Sequence, residues 1–297
     1  MCDKLLKDLD NLLSNRRRLR ELLKVEKDRR GLEEDKLVFI GMANIAGYWW
    51  CARKSILRSR NMEIEFFKSY LEDRIKYSIK LGYFNGDKLP RRREKILSIG
   101  NEITMRDIEK LLKEWDKLFE EEKDICEKNR IINIIKTHQD VWEFMPDKLG
   151  TLCQLGFAER YPTIRWNFEW KDYVIVGVPD GITDEFIYEF KITKSEFLMK
   201  YTKPVAFTQA DLYGYFFKRN IKRIQILIRE TWEIRTWMEK VDVNNAKETL
   251  CKFRNLEENL EKPISPQKWK CNKCEYRDIC RIYTDKASTH FWNYYSQ

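Results

Sequence analysis

The spacing of hydrophobic positions changes near residue 160 of this chain. After that point apolar and polar side chains alternate over 163–170, which is typical of a half-buried strand. Before it, apolar side chains recur at the three- to four-residue spacing of helices. The helical segments that this spacing predicts cover 3–30, 37–57, 61–82, 101–123 and 125–145. We therefore expect a helical first half and a second half that contains the strands.

The pattern after residue 160 predicts three strands in succession. The first two form a hairpin around a tight turn at Lys171-Asp172. A second turn at 181–184 leads into a strand over 185–192. We expect these strands to be antiparallel neighbours, which brings Asp180 and Glu189 to one edge of the sheet.

A helix is predicted to follow, beginning at Pro204 and ending near Lys218. The fixed backbone of proline suits a first helical turn. Gln209 and Tyr213 are four residues apart and therefore share a face of this helix. That face is either packed in the core or turned toward the two carboxylates. Beyond it we expect two more strands and a helix, over 224–228, 232–237 and 243–260.

These patterns predict an α+β fold organised in four regions along the chain. Composition shifts and breaks at proline and glycine set their boundaries. The regions are a basic helical extension (1–36), a helical region (37–145), a strand-containing core (160–240) and a C-terminal segment with a helix and three cysteines (241–297).

The charge balance favours a polyanionic partner. The chain carries 57 basic and 48 acidic side chains, a net charge of +9. Dense basic runs occur at 16–20, 27–30 and 91–93. Such runs bind phosphates without sequence preference, although they are also common on solvated helical faces. Eight cysteines without a signal peptide favour a reducing interior, and no apolar run has the length of about 18 residues that spans a bilayer. We expect a cytoplasmic protein with no membrane partner.

Asp180, Glu189 and Lys191 form the smallest set of side chains that supports metal-assisted cleavage of a phosphodiester. Glu189 and Lys191 are two residues apart in a predicted strand, so both project from one face. A divalent cation held by Asp180 and Glu189 would polarise a phosphate and lower the pKa of a bound water. Lys191 would orient that water or offset the developing charge. The simpler alternative is a surface strand with one salt-bridged pair.

Four cysteines indicate a second centre. Cys271, Cys274 and Cys280 follow a C-x2-C-x5-C pattern, and Cys51 lies far upstream beside two tryptophans. Clustered thiolates bind zinc or an iron-sulfur cluster. The long interval from Cys51 to Cys271 is unlike a zinc finger. A cluster that joins the two ends of the chain therefore fits better than a local zinc knuckle.

The order of these motifs resembles that of RecB-like nucleases of the PD-(D/E)XK superfamily that carry a four-iron cluster. The nearest resemblance is to the CRISPR-associated exonucleases of the spacer-acquisition machinery. Each motif is short, but their shared order from about residue 38 to residue 282 is specific. The residues that carry the resemblance are Cys51 with Arg53-Lys54, His138, Pro179-Asp180, Glu189-Phe190-Lys191, Gln209, Tyr213, Cys271, Cys274 and Cys280. This chain departs from compact members in the long interval between Cys51 and His138 and in its basic N-terminal extension.

The resemblance implies a restriction-endonuclease-like α/β core, with a mixed sheet and flanking helices. It also implies a Mn or Mg ion bound by His138, Asp180 and Glu189. The main-chain carbonyl of Phe190 is a candidate further ligand, and Lys191 is catalytic. A lone helical histidine is more often packed than metal-binding, so a glutamate upstream, Glu72, is the reserve candidate for the third ligand.

The resemblance further implies that Gln209 and Tyr213, on a helix beside the active site, belong to the catalytic residues with Asp180, Glu189 and Lys191. It also implies that the four cysteines hold a 4Fe-4S cluster. The expected activity is a metal-dependent DNA exonuclease that acts on single-stranded ends, from the 5′ end, in CRISPR spacer acquisition. DNA and the adaptation integrase are then the expected partners. Two alternatives stay open: a nuclease of the same fold in repair, recombination or a virus, and a non-catalytic DNA-binding adaptor.

Overall fold

The computed structural model describes residues 2–113, 121–137, 145–259 and 268–280. The chain forms two compact units, each built from separate stretches of sequence. The first unit comprises Met1–Ile103, Trp166–Val176 and Leu250–Gln297, and the second comprises Thr104–Arg165 and Gly177–Thr249.

The first unit surrounds a small mixed sheet with helices. Its strands are in the order β1-β3-β2, and β1 runs parallel to β3 with Phe39 opposite Val174. The elements of this unit are α1 (Cys2–Ser14), α2 (Arg16–Arg29), β1 (Phe39–Gly41), α3 (Met42–Ala46), a 3-10 turn (Gly47–Trp49), α4 (Ala52–Lys80), α5 (Arg93–Ser98), β2 (Trp166–Trp170) and β3 (Tyr173–Gly177).

The N-terminal region predicted as a basic extension is part of the core of the first unit. Leu9 of α1 and Leu22 of α2 are fully buried and belong to the same hydrophobic cluster as Phe39 and Phe67. The charged segment is two helices because Asn15 caps the second one, where its side chain accepts a hydrogen bond from the amide of Arg18 at 3.0 Å. Residues 1–36 therefore do not stand apart from the rest of this unit.

The second unit has a four-stranded mixed sheet in the order β4-β5-β6-β7. The central pair, β5 and β6, is parallel, and the outer pairs are antiparallel. Its elements are α6 (Met105–Lys113), α7 (Glu121–Thr137), α8 (Pro146–Phe157), β4 (Gly181–Ile182), β5 (Phe186–Thr193), α9 (Glu196–Phe217), β6 (Ile221–Ile228) and β7 (Glu233–Lys240). Two further helices, α10 (Val243–Asn259) and α11 (Lys268–Asn272), complete the described chain.

Helices cover both faces of the second sheet. On one face Ala206 and Ala210 of α9 pack against Ile224 and Ile226 of β6. On the other face the side chains of α7 and α8 form a core with the aromatic positions of β5 and with Leu227. The alternation predicted for β5 therefore separates its charged side chains from its aromatic ones, and the fold is of the expected α+β type with mixed sheets.

Two details of the predicted topology are wrong. The hairpin of β2 and β3 at Lys171-Asp172 exists, but β3 pairs with β1 in the first unit, and neither strand of the hairpin pairs with β5. The strands on either side of Asp180 are therefore in different sheets. The segment over 37–57, predicted to be helical, also contains the short strand β1. All three residues of β1 are buried, and a strand that is buried on both faces is favoured to pair with β3.

The helix predicted to begin at Pro204 begins at Glu196 instead. Ser195 caps it, and its hydroxyl accepts a hydrogen bond from the Leu198 amide at 3.3 Å. Pro204 thus lies inside α9, where packing of the helix on β5 and β6 outweighs the loss of one main-chain donor. The strands and helix expected after it are confirmed as β6, β7 and α10.

No helix in the described part of the chain combines the length and the apolar character needed to cross a bilayer.

We predict that Gly214→Ala destabilises the protein. A Cβ at this position of α9 would overlap the side chain of Val241 and lie 3.1 Å from the Arg219 carbonyl oxygen. Overpacking of this kind costs about 1–3 kcal/mol of unfolding free energy. Gly150→Ala in α8 is the matched control, because nothing lies within 4 Å of its added methyl group.

Urea denaturation followed by circular dichroism measures both variants. Gly150→Ala is expected to be neutral or to gain up to about 1 kcal/mol from helix propensity. Equal stability of Gly214→Ala and wild type would contradict the close packing of α9 on Val241.

Candidate functional site

Pairing of β4 with β5 brings Asp180 and Glu189 together. Gly181, the first residue of β4, lies opposite Tyr188, so Asp180 just before β4 lies beside the Glu189 and Phe190 end of the pairing. The carboxylate of Asp180 is fixed there because its Oδ2 accepts a hydrogen bond from the Phe190 amide at 2.8 Å. Two carboxylates that are distant in sequence thus become neighbours at one point of the sheet.

Glu189 is fully buried between the sheet and α9. The ammonium group of Lys191 forms an ion pair with its Oε1, and 27% of the Lys191 side chain is exposed. The other oxygen, Oε2, accepts a hydrogen bond from Gln209 Nε2 at 3.2 Å. Lys191 therefore connects the buried carboxylate with the surface.

Gln209 and Tyr213 join this site through a chain of hydrogen bonds. Gln209 Nε2 also donates to the Tyr213 hydroxyl at 3.0 Å, and that hydroxyl donates to the Val178 carbonyl at 2.7 Å. Both side chains are buried, at 5% and 3% exposure. They therefore hold Glu189 and the segment that leads to Asp180 in position.

The pKa values of the two acids are raised. Burial raises the pKa of Glu189 to about 8, the attraction of Lys191 opposes the rise, and the charge of Asp180 adds to it. Burial also raises the pKa of Asp180, against the effects of Lys191 and of the Phe190 amide. The site thus disfavours two negative charges unless a cation offsets them.

Lys191 and Tyr213 respond to the same charges. Burial on its own would lower the pKa of Lys191, but Glu189 and Asp180 outweigh burial and raise it. The pKa of Tyr213 is raised well above its usual value by burial and then by the two acids. Lys191 is therefore a cation and Tyr213 a neutral hydrogen-bond donor at neutral pH.

The acidic pair has the chemistry of a site for a hard divalent cation. Carboxylate oxygens are the preferred ligands of Mg and Mn, and a cation would relieve the repulsion between Asp180 and Glu189. Within the described ranges, no group of three or more His, Cys, Asp or Glu side chains is arranged to hold a metal ion. The pair by itself supplies two.

Three further ligands were predicted for this cation: His138, Glu72 and the Phe190 carbonyl. His138 lies outside the described residues. Glu72, the reserve candidate, lies in α4 of the first unit and forms an ion pair with Lys76 at 2.7 Å. The proposed role of the Phe190 carbonyl stays a prediction, and the Phe190 side chain is buried on the opposite face of the sheet.

One polar neighbour of the pair was missed by sequence reasoning. Gln154, an exposed residue of α8, donates a hydrogen bond from its Nε2 to Asp180 Oδ1 at 2.6 Å. Neither its spacing nor a motif identifies it, because the contact depends on how α8 packs against the sheet.

The structure brings the segment around Cys51 against the cysteine-rich segment in the first unit. Lys54 pairs with Glu275 at 2.8 Å, and Lys270 donates to the Trp50 carbonyl at 3.1 Å. Arg53 Nη1 lies 3.8 Å from the sulfur of Cys280. The segment around Cys51 and the segment that carries the other three motif cysteines are therefore in contact, whereas the predicted cluster between them stays a prediction.

The four motif cysteines are all partly exposed. The pKa of Cys51 is raised mainly by burial, the amides of Lys54 and Arg53 oppose this, and the charges of Cys274 and Cys280 contribute to it. Soft sulfur ligands suit iron or zinc. Within the described residues, however, the four cysteines are not arranged as a group that holds a metal ion.

Some of the basic residues expected to guide DNA form internal ion pairs. Lys27 is buried and pairs with Glu63 at 3.0 Å. Arg30 pairs with Glu26 and Glu169, both at 2.8 Å. At least this run therefore stabilises the first unit and is not a free phosphate-binding surface.

Comparison with known proteins adds little to this geometry. No family model and no curated protein matches the chain. Five solved chains match it, among them a crystal structure of SSO0001. The match covers 60% of this chain and 97% of that one, with 16% sequence identity and a TM-score of 0.35. This likeness is too remote to carry an argument.

We predict a pH-dependent stability that originates at Glu189. Its folded-state pKa is about 8, above that of the unfolded chain, so its contribution is fully present at acidic pH and is lost as the pH rises toward 8. Between pH 6 and 8, without divalent cations, wild type should lose about 1 kcal/mol per pH unit relative to Glu189→Gln.

Urea denaturation at several pH values in a chelating buffer measures this difference. Glu233→Gln on the exposed strand β7 is the control, and its stability should follow that of wild type at every pH. Parallel profiles for wild type and Glu189→Gln would show that Glu189 is ionised in the folded protein throughout.

Proposed function

We propose that this protein is a metal-dependent deoxyribonuclease of the restriction-endonuclease-like type. One observation carries the proposal: the half-buried Asp180 adjoins the fully buried Glu189, whose carboxylate contacts the ammonium group of Lys191. A structural ion pair needs one acid and one base. A second, half-buried acid beside the first adds a cost that a bound divalent cation would offset.

In the proposed mechanism, a bound cation supplies Lewis-acid chemistry and a water of lowered pKa. Asp180 and Glu189 would hold that cation. Lys191, part-exposed and charged, would bind the scissile phosphate and offset the negative charge that builds on it. Gln209 and Tyr213 would keep Glu189 and the Asp180 segment in place and therefore act as positioning residues.

We further propose that the cysteines of the first unit hold an iron-sulfur cluster of the 4Fe-4S type. The contacts of Lys54 with Glu275 and of Arg53 with Cys280 support this, because they bring Cys51 toward the C-terminal trio. The cluster would have a structural role: it would join the start of α4 to the C-terminal segment.

The proposed substrate, direction of cleavage and biological role rest on the order of the sequence motifs alone. They comprise exonuclease action on single-stranded ends, polarity from the 5′ end, and a place in CRISPR spacer acquisition beside an integrase. A nuclease of repair, recombination or a virus would share the same active-site residues. A non-catalytic DNA-binding adaptor would have less need of two adjoining acids beside a lysine.

We predict that Lys191→Ala and Asp180→Asn each reduce DNA cleavage at least about 100-fold, since each removes charge from the reacting centre. The assay follows a labelled single strand incubated with Mn. Lys240→Ala is the control, because this lysine is exposed at the end of β7 in the same sheet. Undiminished cutting by the two site variants would refute the assignment, and an inactive wild type would favour the adaptor.

We also predict that protein purified without oxygen is brown and that Cys274→Ala loses both the colour and the bound iron. Cys251→Ala is the matched control, because Cys251 is exposed on α10 and lies outside the motif. Absorbance near the visible charge-transfer band and metal analysis measure the outcome. A colourless wild type with stoichiometric zinc would show that the site holds zinc.

A further inference from the structure

We propose that Gln154 completes the cation site of Asp180 and Glu189 as an oxygen ligand. This inference rests on the proposed function, because it assigns a third side chain to the same site. It gives α8 a direct part in metal binding.

The contact between Gln154 and Asp180 is specific in its geometry. Asp180 uses Oδ2 to accept the Phe190 amide at 2.8 Å, so Oδ1 is the oxygen that faces α8. The carboxamide of Gln154 lies 2.6 Å from Oδ1. The Gln154 side chain thus contacts Oδ1, the Asp180 oxygen that does not accept the Phe190 amide of β5.

The backbone that carries Gln154 is held in place while its side chain stays accessible. Leu149 and Cys153 anchor α8 in the hydrophobic core of the second unit. Gln154 itself is exposed, as is the next residue, Leu155, at 44%. The carboxamide is therefore delivered by a fixed helix and has room to rotate about its last bond.

Rotation of the carboxamide exchanges its donor for an acceptor. In the present orientation the nitrogen donates to Asp180. With the orientation reversed, two oxygens would face each other, which is favourable only if a cation lies between them. Adjacent ligands of an octahedral Mg or Mn ion are about 3 Å apart, close to the spacing already present here.

A neutral ligand suits the charge of this site. Asp180 and Glu189 adjoin where burial disfavours negative charge, and the Lys191 ammonium group already contacts Glu189. A third carboxylate would add repulsion in the metal-free protein. An amide oxygen adds a hard ligand without adding charge.

The test measures Mn binding by electron paramagnetic resonance of the free ion, with the full chain and its cysteine centre intact. Gln154→Ala is expected to weaken Mn binding about tenfold. Leu155→Ala, the exposed neighbour on α8, should bind as wild type does. Unchanged Mn affinity in Gln154→Ala, with the fold intact by circular dichroism, would overturn the inference.

Gln154→Glu separates a ligand from a hydrogen-bond donor. If the residue supplies an oxygen to the cation, the glutamate should bind Mn at least as tightly as wild type. If it only donates to Asp180, the glutamate would repel that carboxylate, and Mn binding should fall below that of Gln154→Ala. The second result would overturn the inference.

Asp180→Asn keeps this test separate from that of the proposed function. If Asp180→Asn loses Mn binding while Gln154→Ala does not, only the role of Gln154 fails. If Asp180→Asn binds Mn like wild type, the acidic pair is not the metal site, and the proposed function fails together with this inference.

Discussion

The second unit depends on the burial of Glu189 in the middle of its sheet. A buried carboxylate is costly, and this one is offset by Lys191, by Gln209 and, through Gln209, by Tyr213. These partners come from β5 itself and from α9, the long helix that follows it. The packing of α9 on β5 and β6 is therefore required both for a stable fold and for the arrangement of the acidic pair.

Asp180 is fixed by different means. It belongs to the short connection between β3 and β4, and β4 provides only two paired residues. Its place is secured by the Phe190 amide, by Gln154 and, upstream, by the bond from Tyr213 to Val178. A loop residue thus acquires a defined position because three elements of the second unit hold it.

The first unit uses a different principle to join distant parts of the chain. Its core combines α1 and α2 with β1 and α4, so a region rich in basic residues supplies leucines to the interior. Ion pairs such as Lys54 with Glu275 then bring the C-terminal segment to the start of α4. The density of basic residues along the sequence therefore does not predict which of them are available to bind a polyanion.

The sequence by itself determined what depends on local periodicity. The two-residue alternation set Glu189 and Lys191 on one face of β5, and the four-residue spacing set Gln209 and Tyr213 on one face of α9. Only the tertiary structure decided which strands pair, since β3 pairs with β1 and not with β5. It also decided which helix contacts Asp180, since the hydrogen bond from Gln154 depends on the packing of α8. Strand pairing and helix packing depend on which surfaces are buried across the whole chain, and the spacing of residues within one segment does not contain that information.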